Sequence, residues 1–600
     1  MAVQANPQQG FGRRGARFGA PVEKPQNAGA ALRRLLSYFR AERRFVILMS
    51  LTVLISVTAS VLAPSFQSSA IDKIVSAQYA LLPKALALML TMHLIHGLTN
   101  LLQGWISASL SQRIVSKVRK ELFDKIVHLP IAYIDGHSHG DLISRMTNDA
   151  ENVSNIISSS LSSLFSGVLT LIGTLFMMMY YNIPLGLLSC STVILTVLFT
   201  TFFSRYMRRY YVKRQALLGQ LNGTVEEMVT NYKTITAYNR QESVIDSFTE
   251  TADQLTRTGI IAEIISNCMG PVMNMLSNVS FVIVSVFGAY FALKGYITVG
   301  VISAFIIYSK QFSRPINELA QLYGQIQTAI AGAERVFSVL DEKTECFEGA
   351  PVKEVSGVIE FRHVDFSYVP EKKIISDFSL KIESGKKIAL VGSTGSGKTT
   401  VINLLMRFYD IDSGEILLDG QNIRDIALTD LRDSIGIVLQ DTKLFSDSIR
   451  ANLTYAKEGA TQEDVEQAAR FAHCDKVIAK LPDQYDTMLS QTSVSLSQGE
   501  QQLIAIGRAF LSYPRILILD EATSSVDTRT ELQIQDAMNE LMKDRTSLII
   551  AHRLSTIQDA DQIIVMDQGH IVESGTHREL LSRNGKYYDL YMTQFAGQEI

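Results

Sequence analysis

Uncharged apolar stretches fill the first half of the chain and then stop. After Arg44 no charged residue occurs in 45–63, nor after Lys84 in 85–112, and each stretch reaches the ~20 residues that cross a bilayer as a helix. Residues 152–204 contain no Asp, Glu, Lys or Arg. At about 1.5 Å per residue that run far exceeds the ~30 Å hydrocarbon core, so the turn signal Asn182-Ile183-Pro184 in its middle predicts two spans in a hairpin. Residues 264–293 predict a fifth span, and 295–309, carried past Lys310, a weaker sixth. From about Gln325 the pattern becomes that of a soluble α/β domain.

The soluble part holds a phosphate-loop pattern. Gly392-Ser393-Thr394-Gly395-Ser396-Gly397-Lys398-Thr399-Thr400 matches G-x-x-x-x-G-K-[ST] between an apolar run, 388–391, and a helix-like run, 401–408. Its glycines let backbone N–H groups turn onto phosphate oxygens, and the following helix offers its positive end. Lys398 is placed to reach the β/γ-phosphates and the Thr399 hydroxyl to hold Mg²⁺. The domain is expected to bind a nucleoside triphosphate; the alternative is a glycine-rich turn with no ligand.

Composition agrees with a membrane part joined to a soluble one. The chain has 600 residues, too many for one core, and is 47% hydrophobic. Six spans return both ends to one side, and a nucleotide domain requires that side to be the cytosol. Arg33, Arg34, Arg40, Arg43 and Arg44 before the first span fit the positive-inside rule. Outward loops near 72–82, 181–184 and 294–296 are short, whereas the inward loops 113–151 and 205–263 are long, charged and helix-like. Those inward loops are expected to be helices continuing beyond the bilayer.

Residues 1–30 are rich in Gln, Gly, Ala and Arg and lack an apolar run, which predicts a disordered cytosolic tail and no signal peptide. The four cysteines, Cys190, Cys268, Cys346 and Cys474, show no CxxC spacing and are expected to serve packing. His137 and His139 lie in a polar loop without further metal ligands and read as a solvated turn.

From about Arg33 to Ala596 the chain resembles a half-transporter of the ATP-binding cassette exporter class. The resemblance implies a polytopic α-helical membrane domain, six transmembrane helices with long cytosolic extensions, fused to an α/β P-loop ATPase cassette. The expected division is a tail at 1–30, a transmembrane domain at 31–328, a linker at 329–357 and a nucleotide-binding domain at 358–596. It implies ATP as the nucleotide, with Tyr368 in VDFSY stacking on adenine and Gln440 in IVLQD reaching toward Mg²⁺ and the attacking water. Asp520 ends the apolar run ILILD, where a further Mg²⁺ contact is needed, and Glu521 directly after it is placed to orient or deprotonate water. Ser524 to Asp527 resembles the loop that crosses between two cassettes, and His552 in IIAHR matches the histidine at the γ-phosphate. Residues 119–149 closely resemble the first intracellular loop of exporters, and Gly300 to Phe305 with Pro315-Ile316 their sixth span. Importers keep their spans on separate chains, so the fused pattern implies export. Coupling to the cassette is expected through crosswise helices near 134–139 and 216–223.

One region departs from the family. The signature segment, usually LSGGQ, binds the γ-phosphate of ATP held by the other cassette; here it reads Leu496-Ser497-Gln498-Gly499-Glu500. Gln498 adds a side chain where backbone must approach phosphate, and Glu500 would bring a carboxylate near the triphosphate if it points that way. Just upstream, Leu489-Ser490-Gln491-Thr492-Ser493 lacks the charged pair of the usual V-G-E-R-G-like stretch. An altered signature beside a matching base implies a heterodimer whose partner carries an ordinary signature and a substituted base; the alternative is a homodimer that tolerates the changes.

The cargo is the least determined part. Few ionisable groups lie in the spans, which points to an apolar or amphipathic substrate such as a drug-like compound, lipid or peptide. His93 and His96 in the second span, with Asn100, read either as lining a pathway or as bonding one helix to another. Lys310 and Arg314 in the sixth read either as contacts for an anionic head group or as cations snorkelling to the inner interface. The absence of a peptidase-like N-terminal domain argues against a leader-cleaving peptide exporter. No nucleic-acid partner is expected, since apolar spans exclude a soluble cassette protein acting on ribosomes or DNA. An ATP-gated channel or a regulator of another membrane protein shares spans and cassette and stays open as the alternative function. A bacterial plasma membrane is the expected location.

Overall fold

The computed structural model describes residues 27–352, 355–439, 442–489, 496–520, 527–550 and 557–594, and every count of elements is over those residues. Among the described residues the chain forms two compact units, one of residues 27–129 and 134–343, the other of residues 130–133 and those from 344 on.

The first unit is a bundle of long helices. A short helix, Ala28–Ala41, leads into the first long one, Arg43–Val75. The second is Leu82–Val127, the third Leu161–Tyr181, the fourth Ile183–Thr230, the fifth Gln241–Leu293 and the sixth Val299–Asp341. The hairpin expected in the uncharged run is made by Asn182, whose extended backbone ends the third helix. Its side chain then accepts from Leu185 N at 3.0 Å to cap the fourth, with Pro184 in the first turn, where no N–H is missed. The 48 and 53 residues of the fourth and fifth helices make each roughly 70 to 80 Å long, so both run far past an apolar core of ~30 Å.

Five long helical stretches are apolar enough to cross a membrane: Arg43–Val75, Tyr79–Val127, His139–Tyr181, Ile183–Thr230 and Gln241–Leu293. In the sixth helix Lys310, Gln311 and Arg314 dilute the apolar character, as its weaker sequence signal foretold. Val53, Val57, Val61, Met178, Val284, Phe305 and Tyr308 form the buried seam among the first, third, fifth and sixth helices. Polar pairs close it: Ser280 and Ser309 hydroxyls lie 3.0 Å apart, and Asp72 accepts from Thr298 Oγ1 at 2.7 Å and Gly300 N at 2.8 Å.

The inward loops are helical, with one correction. Residues 216–223 run unbroken inside the fourth helix; the break comes later, at Asn231, and is followed by the short helix Tyr232–Ala237. Gly219 and Gly223 have open space around them and nothing there forces a turn, whereas Asn231 caps the helix by bonding its side chain to Glu227 O at 3.0 Å. In the other loop a separate short helix, Ile131–Asp135, precedes the segment from His139. That segment reaches the third helix through two π-helical turns, Arg145–Asp149 and Ile156–Ser160. Asp149, nearly buried, is held by Arg335 of the sixth helix through Nε at 2.8 Å and an Nη at 2.5 Å.

The second unit has two sheets. Strands β1 (Ile359–Val369), β2 (Lys372–Ile382), β4 (Ser413–Leu418) and β5 (Gln421–Asn422) pair antiparallel in the order β2-β1-β4-β5. The main sheet has the order β10-β9-β3-β8-β7-β6, from β3 (Lys387–Gly392), β6 (Ile435–Val438), β7 (Ile516–Asp520), β8 (Thr546–Ile550), β9 (Gln562–Asp567) and β10 (His570–Gly575). Its strands are parallel except the edge strand β10. Side chains alternate between two cores: Ile388, Leu390, Ile516 and Ile518 face the antiparallel sheet, and Ala389, Val391, Leu517 and Leu519 face helices on the other side. Burial on both faces explains why these strands read as continuous apolar runs.

Candidate functional site

The carboxyl ends of β3 and β7 lie on the same edge of the parallel sheet, two strands apart, and the phosphate-loop residues and Asp520 emerge there. Such edges are where open parallel sheets gather ligands. β3 ends at Gly392 and the helix Lys398–Leu405 begins six residues on. The turn between them admits only glycine at key points. A Cβ on Gly392 would lie 2.3 Å from Met566 O. At Gly397, φ is +103° and a Cβ would meet Ile375 Cδ1 at 2.7 Å.

Lys398 sits at the centre of this loop. Its ammonium donates to Gly392 O at 2.8 Å, Ser393 O at 2.9 Å and the Ser396 hydroxyl at 3.4 Å. Burial pushes its pKa down, and the charge of Asp520 opposes that shift. Ser393, Thr394 and Gly395 are exposed at the tip, whereas Ser396 and Thr400 are buried. Thr399, in the helix's first turn, is exposed. The exposed loop tip, the helix start behind it and the buried Lys398 ammonium fit a triphosphate in shape and charge. The Thr399 hydroxyl and Asp520 carboxylate are hard oxygen donors of the kind Mg²⁺ takes.

Tyr368, near the end of β1, is not a core residue: it is 43% exposed. Its hydroxyl donates to Thr400 Oγ1 at 3.3 Å and accepts from Asn403 Nδ2 at 3.2 Å, both on the loop's helix. Phe366 and Tyr409 meet its ring edge-on at centroid distances of 4.8 and 4.9 Å, which holds an aromatic surface beside the loop. The three candidate catalytic residues, Gln440, Glu521 and His552, lie outside the described residues, as do Ser524 to Val526 and residues 490–495 upstream of the signature.

The signature segment begins the helix Gln498–Ser512 with Ser497 as its cap. Glu500 does not point outward. Its carboxylate accepts from the Ser497 N–H and hydroxyl, both at 2.8 Å, while Ser497 Oγ accepts from Glu500 N at 3.4 Å. This is a reciprocal capping box that places the acidic charge on its own helix's positive end. The pattern S-x-x-E just before an apolar run is the sequence signal for it. Gln498 is exposed and Gly499 buried.

The residues proposed along the spans do not converge. His96 Nδ1 lies 3.0 Å from Ser56 Oγ on the first helix, and its Nε2 lies 3.1 Å from Asn100 Nδ2, a helix-to-helix arrangement. His93 and Lys310 are exposed. Arg314 is also exposed and donates to Glu318 Oε1 at 2.8 Å one turn along. Asp149 and Arg335, whose pairing joins the third helix's approach to the sixth, were not singled out in the sequence; they stand 186 positions apart and carry no shared local signal.

Comparison with known proteins finds two family models in this chain. A model of the ABC transporter transmembrane region matches residues 46–316, and a model of the ABC transporter domain matches residues 375–524. The chain is 41% identical over 578 residues to the uncharacterized ABC transporter ATP-binding protein YfiC of Bacillus subtilis, covering 95% of each. It is 43% identical over 513 residues to a fatty acid ABC transporter ATP-binding/permease protein of Mycobacterium bovis, covering 85% of this chain and 81% of that one. Among solved structures it matches a bacterial Atm1-family ABC exporter with ATP bound at a TM-score of 0.74 and 29% identity, over 92% of this chain and 98% of the other.

Proposed function

This chain belongs to the ABC transporters, as a membrane region and an ATPase cassette fused in the exporter arrangement, and from that premise we propose that it exports an amphipathic, lipid-like cargo as one half of a dimer. The observation that carries the reading is the glycine-only loop closed around Lys398 in a chain whose other unit is a bundle of long apolar helices. Hydrolysis at such a loop can do its work on the helices that share the chain. A lipid-like cargo is supported by the few ionisable groups in those helices and by the likeness to the mycobacterial fatty acid transporter.

The proposed mechanism gives each residue one part. Lys398 would exchange its bonds to Gly392 O and Ser393 O for the β/γ-phosphates, with backbone N–H groups of the loop on the remaining oxygens and Tyr368 against adenine. Thr399 and Asp520, with Gln440, would hold Mg²⁺, which supplies charge to the leaving phosphate. Glu521 would deprotonate or orient the attacking water, and His552 would contact the γ-phosphate. ATP held between two cassettes would favour their closed pairing, and only the difference in ATP affinity between open and closed states can turn the membrane cavity outward. The cassette and both chain ends would lie in the cytosol.

The partner would be a non-identical half-transporter with an ordinary signature and a substituted base. The departures of Gln498 and Glu500 from the usual signature, in a chain whose Glu521 matches the base, support this. The test is reconstitution of the natively purified complex in vesicles, with subunit masses determined. ATP-dependent flux of a labelled long-chain acid or phospholipid is expected, and Glu521→Gln should hold ATP without steady turnover. Undiminished turnover in that variant would remove Glu521 as the base. ATP hydrolysis without flux of any amphiphile would remove the cargo class, and two identical subunits would remove the heterodimer.

A further inference from the structure

Ser65, Ser69, Asp72 and Lys73 of the first helix, Tyr181 at the end of the third and Thr298 before the sixth line a cavity of about 400 Å³. A close approach of backbones builds it. A Cβ on Gly300 would run into Ser68 O, so only glycine lets the sixth helix start against the first. Asp72 is engaged in this joint: it accepts from Thr298 Oγ1 at 2.7 Å and Gly300 N at 2.8 Å, a carboxylate on the positive end of a helix. Lys73 has no comparable partner. Among the described residues its ammonium enters no ion pair and donates to Ser69 Oγ at 3.4 Å. The wall therefore presents an uncompensated cation and several hydroxyls, while its carboxylate is already bonded. Polar pairs continue inward from the cavity between the first and sixth helices: Gln67 with Ser303 at 3.2 Å, Ser65 with Tyr308 at 2.9 Å, and Gln311 with Ser60 O at 3.3 Å. At the last of them Gln311 Oε1 is buried and has no hydrogen-bond partner among the described residues.

We propose that this cavity holds the anionic head group, carboxylate or phosphate, of an exported amphiphile at the outer face, with Lys73 as its counter-charge and the neighbouring hydroxyls as donors. Lys73 stands 29 residues beyond Arg44, about 44 Å along the helix and past a hydrocarbon core of ~30 Å. That depth is the layer of the outer head groups. Snorkelling alone would leave the ammonium in open water, whereas Lys73 is half-buried beside a cavity of the volume that small ligands occupy. An uncharged sugar head would call for carboxylates open to its hydroxyls, and Asp72 is taken up by the sixth helix. An anionic oxygen instead gains a charge-assisted bond from Lys73 and further bonds from the serine hydroxyls. The polar pairs leading inward supply partners to the same head group between the two helices. The inference rests on the export reading and on the outward placement of these helix ends proposed above.

The test is protection of a cysteine placed at the cavity. Ser76 also lines it and is exposed, so Ser76→Cys is made in the full chain, purified with its native partner subunit and held in phosphatidylcholine nanodiscs. A membrane-impermeant maleimide alkylates it, and the labelling of the unsubstituted complex is subtracted. Octanoate and octyl phosphate should slow alkylation several-fold, and octyl glucoside, with the same tail and no charge, should not. Protection by one of the two anions alone supports the site and identifies which head group it takes. In the same background Lys73→Gln should remove the protection and Lys73→Arg should keep it. No protection by either anion, equal protection by octyl glucoside, or protection that survives Lys73→Gln overturns the inference. Amphiphile flux is measured in vesicles made from the same preparation. Flux without anion protection removes this site and leaves the export reading standing, whereas protection without flux of any amphiphile keeps the site and counts against that reading.

Discussion

Glu500 turns inward onto Ser497, and the surroundings of the carboxylate explain why. A helix start leaves several N–H groups without intrahelical partners, and an acidic side chain at the third position is the nearest group that can satisfy them. Glu500→Ala should therefore lower stability by about 0.5–2 kcal/mol, whereas Glu500→Gln, which can keep the box, should stay close to the wild type. Thermal unfolding of the detergent-solubilised chain measures both. A second residue-scale expectation concerns Asp365, whose pKa is held down to about 2 by Lys373, the Asp377 N–H and Ser413. A depressed carboxylate contributes stability above its ordinary pKa and loses it as pH falls through the folded value. Asp365→Asn should thus lower the unfolding midpoint at neutral pH, and the gap to the wild type should close as pH falls from about 4 toward 2. The phosphate loop was legible in the sequence because sterics at Gly392 and Gly397 and the charge of Lys398 act within nine residues. The direction of Glu500 follows from the local capping pattern S-x-x-E and not from the likeness to the signature motif, which allows its carboxylate to lie near the triphosphate.

Among elements, apolar length predicted the spans well because the bilayer's thickness is a single strong constraint, and Asn182 with Pro184 marked the hairpin chemically. The end of the fourth helix was harder to read. Between 216 and 231 no proline or apolar break occurs, so the choice of Asn231 as the turning point depends on what each turn packs against. The same holds for Asp149 and Arg335. Their bidentate pair ties the sixth helix to the π-helical turn Arg145–Asp149, where an extra residue per turn re-aims the side chains that follow. Asp149 is nearly buried but Arg335 keeps about a third of its side chain in solvent. Asp149→Ala should therefore cost about 1–3 kcal/mol, less than the loss of one partner from a fully buried pair. A melting curve of the purified variant beside the wild type is the measurement.

At the scale of the whole molecule, both ends of the junction between the two units are pinned. Asp341 closes the sixth helix in an ion pair with Arg34, and Glu345 opens the second unit in a bidentate pair with Arg432 at 2.8 and 2.9 Å. Four residues of chain reach at most about 14 Å. Inserting a flexible Gly/Ser segment between Lys343 and Thr344 should leave ATP hydrolysis running while removing its stimulation by cargo, which paired ATPase and flux assays on one preparation would register; stimulation that survives the insertion would mean that the strap carries no signal. A connector this short, pinned at both ends, leaves little length to spare. A single added residue should therefore act as play in a bearing: fuel consumed as before, with part of each stroke lost.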